Sequence, residues 1–433
     1  MQMGKWMTAM GAVLLFGLTG CARYEPAGAF EEPVTLTETE SETSAGLERN
    51  AAEESTEEGA AALTEKEPEP IAISTISRPE PVKVRGIYVS AYVAGTGNRM
   101  DEILGQMEGT GLNAVVIDLK DDEGRITCQM DSPLVNEIGA SRVLIQDMPG
   151  LIGRLKERGI YPIARVVAFR DPYLAEQKPE WSLHMADGSV YRDGNGLAWV
   201  NPYRQEVWDY LVEVGKKAGE LGFAEVQFDY VRFSVDSGAE GVAFAPEDTQ
   251  GRSKTEAISQ FMDYAYDELS REGLYVSADV FGTIIRSGQD AQAVGQDYRE
   301  MAGQVDYLCP MIYPSHYGDG SFGIEHPDTQ PYDTVYQALL GSREALEGPG
   351  DGDENTGDGS TGAEGDRQAV VRPWLQDFTA SYLDHYIDYG DEEVRAQIQA
   401  VYDAGYEEWL LWDAGVSYHF GGAAEAPVER TAE

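Results

Sequence analysis

The sequence has few basic residues for its length: 32 lysines and arginines stand against 76 aspartates and glutamates, for a formal net charge of −44. A chain this acidic has no electrostatic footprint for nucleic acid, so we expect no nucleic-acid partner. Histidine and cysteine are also scarce, with five and three copies. Because neither a Cys-x-x-Cys nor a His-rich cluster is present, the sequence predicts no metal site and no cofactor.

Cysteines are too few in the body of the protein for a disulfide framework. Cys128 and Cys309 are the two that remain there, far apart in the sequence. They could pair, but the pattern favours two isolated, buried thiols.

The N-terminus lacks an apolar run long enough to span a bilayer comfortably, since Met7–Leu18 is short. Lys5 precedes this run, and Leu18-Thr19-Gly20-Cys21 follows it. This tetrapeptide resembles a bacterial lipobox, which implies cleavage before Cys21 and acylation of that cysteine. Residues 1–21 are therefore interpreted as a lipoprotein signal peptide, and the protein as an extracytoplasmic, membrane-anchored lipoprotein at the cell surface. The alternative is an uncleaved anchor with a chance cysteine.

Three segments have too few apolar residues to build a core. Residues 22–81 are dominated by Glu, Thr, Ser, Ala and Pro, which predicts a disordered acidic linker that holds a domain away from the membrane. Residues 346–368 are rich in Gly and Asp and predict a flexible insertion, and residues 422–433 predict a disordered tail.

Between these segments, residues 82–421 alternate short apolar runs with longer amphipathic stretches. The predicted strands are Val84–Ala94, Leu112–Leu119, Ile160–Phe169, Ala224–Phe233, Leu274–Gly282, Val305–Tyr313, Val370–Phe378 and Glu408–Ala414. The predicted helices are Met100–Gly109, Met148–Arg158, Arg204–Leu221, Thr255–Arg271, Ala291–Gly303, Pro331–Ala345 and Asp391–Ala404. Several of these helices end at a glycine, namely Gly111, Gly159, Gly222, Gly273 and Gly405.

Eight strands with seven intervening helices predict an α/β fold of the (β/α)8 TIM-barrel type. A doubly wound sheet is the alternative, but no Gly-rich phosphate loop follows the first predicted strand. Polar side chains recur at the carboxyl ends of the predicted strands, where such a barrel has its active site. They are Ser90, Tyr92, Asp118, Lys120, Asp122, Arg170, Asp171, Asp229, Arg232, Asp279, Tyr313, Ser315, His316, Gln376, Asp377, Trp412 and Asp413.

Three of these carboxylates, Asp118, Asp229 and Asp279, lie within otherwise apolar strands, where an unpaired charge is costly. They could simply pair with basic residues, namely Lys120, Arg165 and Arg232; Lys120 shares the side-chain parity of Asp118. Asp377 and Asp413 lie nearer to loops, where solvated carboxylates are common.

Large aromatic residues also follow the predicted strands. Trp181 and Trp199 lie in the long segment after the third strand, and Trp374 and Trp412 near the ends of the last two. Such rings at a barrel mouth can stack on sugars, or they can pin loops to the barrel.

Several carboxylates at one barrel mouth indicate hydrolysis of glycosidic bonds, which needs one proton donor and one nucleophile or base. A serine triad is excluded because the chain has no Gly-x-Ser-x-Gly elbow. Metal-dependent lyase or deacetylase chemistry on Asp118, Asp229 and His316 stays open, although these residues lack diagnostic ligand spacing.

The motif Gln227-Phe228-Asp229-Tyr230-Val231-Arg232-Phe233 resembles the hallmark of a bacterial family described as "putative glycosyl hydrolase domain". Ser234 departs from that family, which usually has proline there. Further similar segments are Arg85–Tyr88, Val116–Lys120, Ile163–Arg165, Ser277–Gly282, Pro310–Tyr317, Arg372–Phe378 and Trp412–Ala414. By analogy with related glycosidase clans, the resemblance implies that Asp229 is the nucleophile and Asp279 the acid/base.

We therefore expect a surface-anchored, monomeric glycoside hydrolase that cleaves an extracellular or cell-wall glycan; the alternative is a non-catalytic carbohydrate-binding barrel. Asp229 and Asp279 are the predicted catalytic residues. The predicted substrate-binding residues are Asp118, Lys120, Arg165, Trp181, Trp199, Arg232, Tyr313, His316, Trp374, Asp377, Trp412 and Asp413.

The lipobox can be tested directly. Because acylation requires the thiol of Cys21, Cys21→Ala should release or mislocalise the protein, as measured by fractionation of membranes. The lipoprotein interpretation is wrong if the variant stays with the membranes as strongly as the wild type.

Overall fold

The computed structural model describes residues 78–347 and 367–424, all within one unit of the chain. The lipobox, most of the acidic linker, most of the insertion and most of the tail lie outside the described residues. Within the described ranges no helix combines the length and apolarity needed to cross a bilayer. Cys128 and Cys309 are buried, unpaired thiols, as predicted.

Eight parallel strands close into a barrel, which confirms the predicted fold. The strands are β1 (Arg85–Val89), β2 (Ala114–Lys120), β3 (Tyr161–Val167), β4 (Glu225–Asp229), β5 (Tyr275–Phe281), β6 (Tyr307–Met311), β7 (Val370–Val371 and Trp374–Gln376) and β8 (Trp409–Trp412). Each strand pairs with the next along the chain, and β8 pairs with β1. The ring is complete because Trp374 of β7 pairs with Met311 of β6.

Helices flank the barrel. The α-helices span Ala91–Ala94, Gly97–Met107, Pro133–Ile138, Met148–Glu157, Pro172–Gln177, Gln205–Leu221, Pro246–Thr249, Lys254–Arg271, Gly288–Val294, Tyr298–Ala302, Pro331–Glu347, Asp391–Asp403 and Phe420–Ala423. Four of the five predicted terminating glycines have the positive φ that favours glycine; after Gly97–Met107 it is Gly109, not Gly111, that does so.

Some predicted boundaries are wrong. The first strand ends at Val89 because Ser90 begins the short helix Ala91–Ala94. The predicted helix Ala291–Gly303 is two helices, with Gly295 at φ +77° ending the first. The acidic linker ends earlier than predicted, since Arg78 pairs with Asp306 at 2.7 Å and Tyr275 donates to the Pro79 carbonyl at 2.8 Å.

The lower half of the barrel interior is charged. Arg372, between the two segments of β7, is fully buried and pairs with Glu225 at 2.8 Å and with Glu408 at 2.9 Å. Ser277 donates to the same Glu225 oxygen at 2.6 Å. Burial nevertheless raises the pKa of Glu225. Arg372 is therefore the cation that makes two interior carboxylates tolerable.

Replacing this cation should destabilise the fold strongly. Arg372→Met leaves Glu225 and Glu408 buried without it, so the free energy of unfolding should fall by about 3–5 kcal/mol in chemical denaturation. The matched control is Arg343→Met, which removes the exposed pair with Glu347 and should change it by about 0.5 kcal/mol or less. Equal losses in the two variants would contradict a structural role of the buried cluster.

Candidate active site

Above the cluster around Arg372, polar side chains of β2, β3, β4 and β5 meet at the carboxyl end of the barrel. Asp118 of β2 and Arg165 of β3 are direct partners across the two strands. Asp229 is the last residue of β4, and Asp279 lies near the end of β5. All four residues are buried, with at most 8% of the residue surface exposed.

The guanidinium of Arg165 holds this group together. Its Nη1 donates to Asp118 at 2.7 Å and to Asp122 at 3.0 Å. Its Nε and Nη2 both donate to Oδ2 of Asp229, at 2.9 Å and 2.6 Å. One planar cation thus fixes three carboxylates, in a geometry that a lysine could not reproduce.

Aromatic rings cover the guanidinium of Arg165. The rings of Tyr88 and Trp412 stack on each other at 4.3 Å, and Arg165 lies 5.7 Å and 5.6 Å from their centroids. The Tyr88 hydroxyl also donates to Asp118 at 2.6 Å. Burial raises the pKa of Asp118 despite these contacts. The pKa of Asp122 stays low, because Arg165 and Arg170 outweigh the opposing effect of its burial.

Asp229 is held in one orientation by both of its oxygens. Oδ2 accepts from Arg165, and Oδ1 accepts from the backbone N–H of Tyr230 at 2.6 Å. Tyr230 has a φ of 51°, a left-handed conformation that is strained for a bulky residue. The strained turn therefore directs a backbone donor at the carboxylate.

Asp279 is the neighbour of Asp229 on the next strand. Phe228 of β4 pairs with Ala278 of β5, one residue before the two aspartates. The indole N–H of Trp374 donates to Oδ1 of Asp279 at 2.7 Å. Burial, and then the negative charge of Asp229, raise the pKa of Asp279 well above its ordinary value. The two carboxyl groups therefore have different environments: a cation contacts Asp229, whereas an indole contacts Asp279.

Two of the predicted ion pairs are wrong. Lys120 does not pair with Asp118: it is fully buried and contacts Asp171 at 2.8 Å and the Val167 carbonyl at 2.6 Å. The parity argument fails because the register of β2 and β3 shifts between Asp118 and Lys120.

The predicted ion pair between Arg232 and Asp229 is the second one that is wrong. It donates to the Phe233 carbonyl at 3.0 Å and lies over the rings of Phe281, Trp199 and Tyr230, at 4.4 Å, 5.0 Å and 5.2 Å. Arg165, rather than Arg232, is the guanidinium bound to Asp229.

The predicted aromatic rim is largely buried. Trp199 is fully buried and donates to Asp193 at 3.1 Å, and Trp374 is 1% exposed, so neither can stack on a sugar as it stands. Trp181 and Trp412 are half-buried. The exposed rings on loops after β1 and β7 are instead Tyr92, Tyr382 and Tyr386, at 55%, 62% and 41%. In the sequence, their position shortly after a predicted strand is the feature that could have indicated exposed rings near the barrel mouth.

The remaining predicted residues lie around β6, β7 and β8. Tyr313 is buried and packs edge-on against His316, and burial lowers the pKa of His316 to about 4. Asp377 is buried and contacts Nδ1 of His419 at 2.6 Å; burial raises its pKa to about 6. Asp413 accepts from the Ser417 N–H at 3.0 Å, which is a turn contact.

The structure does not bring Asp118, Asp229 and His316 together as the ligands of a metal ion. Among the residues described, the His, Cys, Asp or Glu side chains that converge for a metal are Asp319, His326 and His385, away from Asp118 and Asp229. Further members of the site are Tyr88 and Tyr230, which are absent from the predicted residues, and Asp122 and Arg170, which are predicted at the strand ends but not as substrate-binding residues.

Residues 86–418 match the family described as "Putative glycosyl hydrolase domain", and the chain belongs to that family. No curated protein matches the chain. A hypothetical protein from Ruminiclostridium thermocellum ATCC 27405 is 34% identical, with a TM-score of 0.42, over 45% of this chain and 97% of that one.

The glycoside hydrolase domain of PgaB (BpsB) from Bordetella bronchiseptica is 12% identical, with a TM-score of 0.51, over 77% of this chain and 94% of that one. At that identity the likeness concerns the fold alone. The chain is therefore a TIM barrel of a glycosyl-hydrolase-like family.

The raised pKa of Asp279 has a consequence for stability. A carboxyl whose pKa is higher in the folded state than in the unfolded state stabilises the fold at low pH and loses that contribution as the pH rises through the folded value. Asp279→Asn keeps an oxygen that can accept from Trp374 and has no carboxyl to ionise. Its free energy of unfolding at pH 7 should therefore exceed that of the wild type, by about 1.4 kcal/mol for each unit by which folding raises the pKa of Asp279.

The measurement is denaturant unfolding between pH 4 and pH 8, with Asp101→Asn as an exposed control. The difference in free energy of unfolding between Asp279→Asn and the wild type should grow as the pH rises, whereas the difference between the control and the wild type should stay constant. A difference between Asp279→Asn and the wild type that stays constant across this pH range would show that folding does not raise the pKa of Asp279.

Proposed function

We propose that this protein is a surface-anchored glycoside hydrolase that cleaves an extracellular or cell-wall glycan, with Asp229 as nucleophile and Asp279 as acid/base. The observation that carries the proposal is the contrast between these neighbours. The cation of Arg165 contacts Asp229, while burial and the charge of Asp229 raise the pKa of Asp279 well above its ordinary value, which favours the protonated form. Hydrolysis of a glycosidic bond needs one carboxylate and one carboxylic acid at the same pH.

In the proposed reaction, Asp279 protonates the glycosidic oxygen while Asp229 attacks the anomeric carbon. The alcohol leaves, and a glycosyl ester on Asp229 remains. Asp279, now ionised, takes a proton from water while the water oxygen attacks the anomeric carbon. The bond between that carbon and Asp229 breaks, which releases the sugar and restores both carboxyl groups. Asp229 can act in this way because a carboxylate has about four lone-pair sites, and three hydrogen bonds occupy it here.

The proposal includes retention of anomeric configuration. Asp229 and Asp279 follow the last paired residues of adjacent strands, whose backbones lie about 4.8 Å apart. Retaining enzymes have carboxyl groups about 5–5.5 Å apart, whereas inverting enzymes need about 6.5–9.5 Å to admit a water. Adjacent strands favour the shorter spacing.

Substrate contacts are proposed from exposure. The half-buried ring of Trp412 adjoins Arg165, and the exposed ring of Tyr92 follows β1, so both could stack on sugars near the carboxylates. Arg170 and Arg232 lie over the ring of Tyr230, at 3.7 Å and 5.2 Å, but both are buried, so no sugar contact is proposed for them. Tethering through Cys21 would place this site outside the cytoplasm.

The second candidate is a non-catalytic carbohydrate-binding barrel. The observation that favours it is the tight hold on Asp229, since a carboxylate fixed by a guanidinium and a backbone N–H is a weaker nucleophile. A binding barrel needs no proton on Asp279. Catalysis therefore decides between the two functions.

The first experiment is a screen of the full-length protein against a panel of glycans, with analysis of released sugars. With a substrate found, Asp229→Asn and Asp279→Asn should each lower turnover by at least about a thousandfold, on the order of 4 kcal/mol of transition-state stabilisation. Glycan binding should persist in both variants, because stacking does not need the carboxylates.

Asp229→Ala in the presence of azide should recover turnover as a glycosyl azide, because azide fits the space left by the carboxylate. The matched control is Asp101→Asn, an exposed carboxylate outside the predicted site, which should keep wild-type turnover. Full turnover by Asp229→Asn would remove the mechanism, and binding without any release of sugar would establish the binding barrel.

A further inference from the structure

We propose that the loops after β6 and β7 form a site for one divalent transition-metal ion of the zinc type, with Asp319, His326 and His385 as its protein ligands. One ligand atom from each residue lies within 4.8 Å of the others. The proposal does not depend on the glycosidase reaction, because none of the three residues belongs to the cluster around Arg165.

The loop after β6 folds back so that two of these ligands meet. Gly320 N–H donates to the carbonyls of Ile324 and Glu325, at 2.9 Å and 3.2 Å, which closes a short turn. As a result, Asp319 and His326 face each other across the turn, with 3.2 Å between Oδ1 and Nδ1. A tetrahedral ion with bonds of about 2.0–2.1 Å would space its ligand atoms by roughly 3.4 Å.

The third ligand comes from a different loop. The imidazole rings of His326 and His385 stack with their centroids 3.8 Å apart and their planes 24° apart. The ring of His385 thus lies directly beside that of His326, so that side chains from two loops meet at one place.

Nδ1 of His326 is the observation that points to a ligand. It is buried, and it makes no hydrogen bond within the described residues despite the nearby Asp319 oxygen. Nε2 of the same ring lies 3.8 Å from Glu325. Nδ1, which faces Asp319 at 3.2 Å without a hydrogen bond, is therefore the ring nitrogen that is available to an ion.

The base of the two loops is already rigid. Asp328, two residues after His326, accepts from Gln376 of β7 at 2.9 Å, and its carbonyl accepts from Tyr389 at 3.0 Å. The ligands therefore project from loops whose bases are fixed to each other. A bound ion would complete this connection at the outer ends and hold the two loops together beside the barrel mouth.

Two imidazoles and one carboxylate select the ion. Imidazole suits zinc, cobalt, nickel and copper, whereas calcium and magnesium prefer oxygen ligands throughout. Three protein ligands leave a fourth position for water. We expect one zinc or cobalt ion per chain and no competition from magnesium.

The test is calorimetric titration of the full-length protein with Zn²⁺ in the presence of excess Mg²⁺, followed by cobalt absorption spectroscopy. One Zn²⁺ should bind per chain, and Co²⁺ should give the intense visible bands of a tetrahedral site. His326→Gln and His385→Gln should each weaken binding by at least about a hundredfold and abolish the bands. His184→Gln, a histidine on the loop after β3, is the matched control and should bind as the wild type does.

Thermal unfolding with and without Zn²⁺ adds a readout that needs no substrate. The wild type and His184→Gln should be stabilised by the ion, and the two ligand variants should not. Absence of Zn²⁺ binding, or binding of equal strength in all four proteins, would overturn the proposal.

Discussion

The site depends on one buried cation, Arg165. It donates to Asp118, Asp122 and Asp229, with Asp279 close by, and Arg170 adds a second positive charge at Asp122. The carboxyl groups still outnumber the cations, and unpaired buried charge is costly. Burial accordingly raises the pKa of Asp118 and of Asp279, which favours their protonated forms. The proton that the proposed acid needs follows from this imbalance of charge.

The aromatic residues around the cluster are best understood as its walls. Tyr88 and Trp412 cover Arg165, Trp374 packs edge-on against Trp412 at 5.6 Å, and the indole of Trp374 holds Asp279. These rings exclude water from the charged groups and fix their orientation at the same time. In the proposed reaction Trp374 would contribute through the position of Asp279, whereas Trp412 alone of the two retains partial exposure for contact with a ligand.

The sequence predicts the barrel well because apolar strands, helices and terminating glycines recur with a regular spacing. It also places Asp118, Asp229 and Asp279 at strand ends, since parallel strands of a closed barrel bring those ends together. Pairing is where prediction fails. A register shift turns Lys120 away from Asp118, and no periodic pattern reveals such a shift.

Burial of single rings and long-range clusters is also beyond the sequence. Trp199 reads as a loop residue, yet the folded loop encloses it completely. His326 and His385 are far apart along the chain, and they meet because two loops after neighbouring strands share the hydrogen bonds of Asp328. Tertiary packing decides both outcomes.

The charged interior also links the bottom of the barrel to its mouth. Glu225, neutralised by Arg372, is one of the negative groups that raise the pKa of Asp279, after burial and Asp229. Because the interior screens charge poorly, Glu225 at the base of β4 raises the pKa of a carboxyl near the end of β5. The charged residues that stabilise the bottom of the barrel therefore also influence the pKa of the carboxyl group that is proposed as the acid.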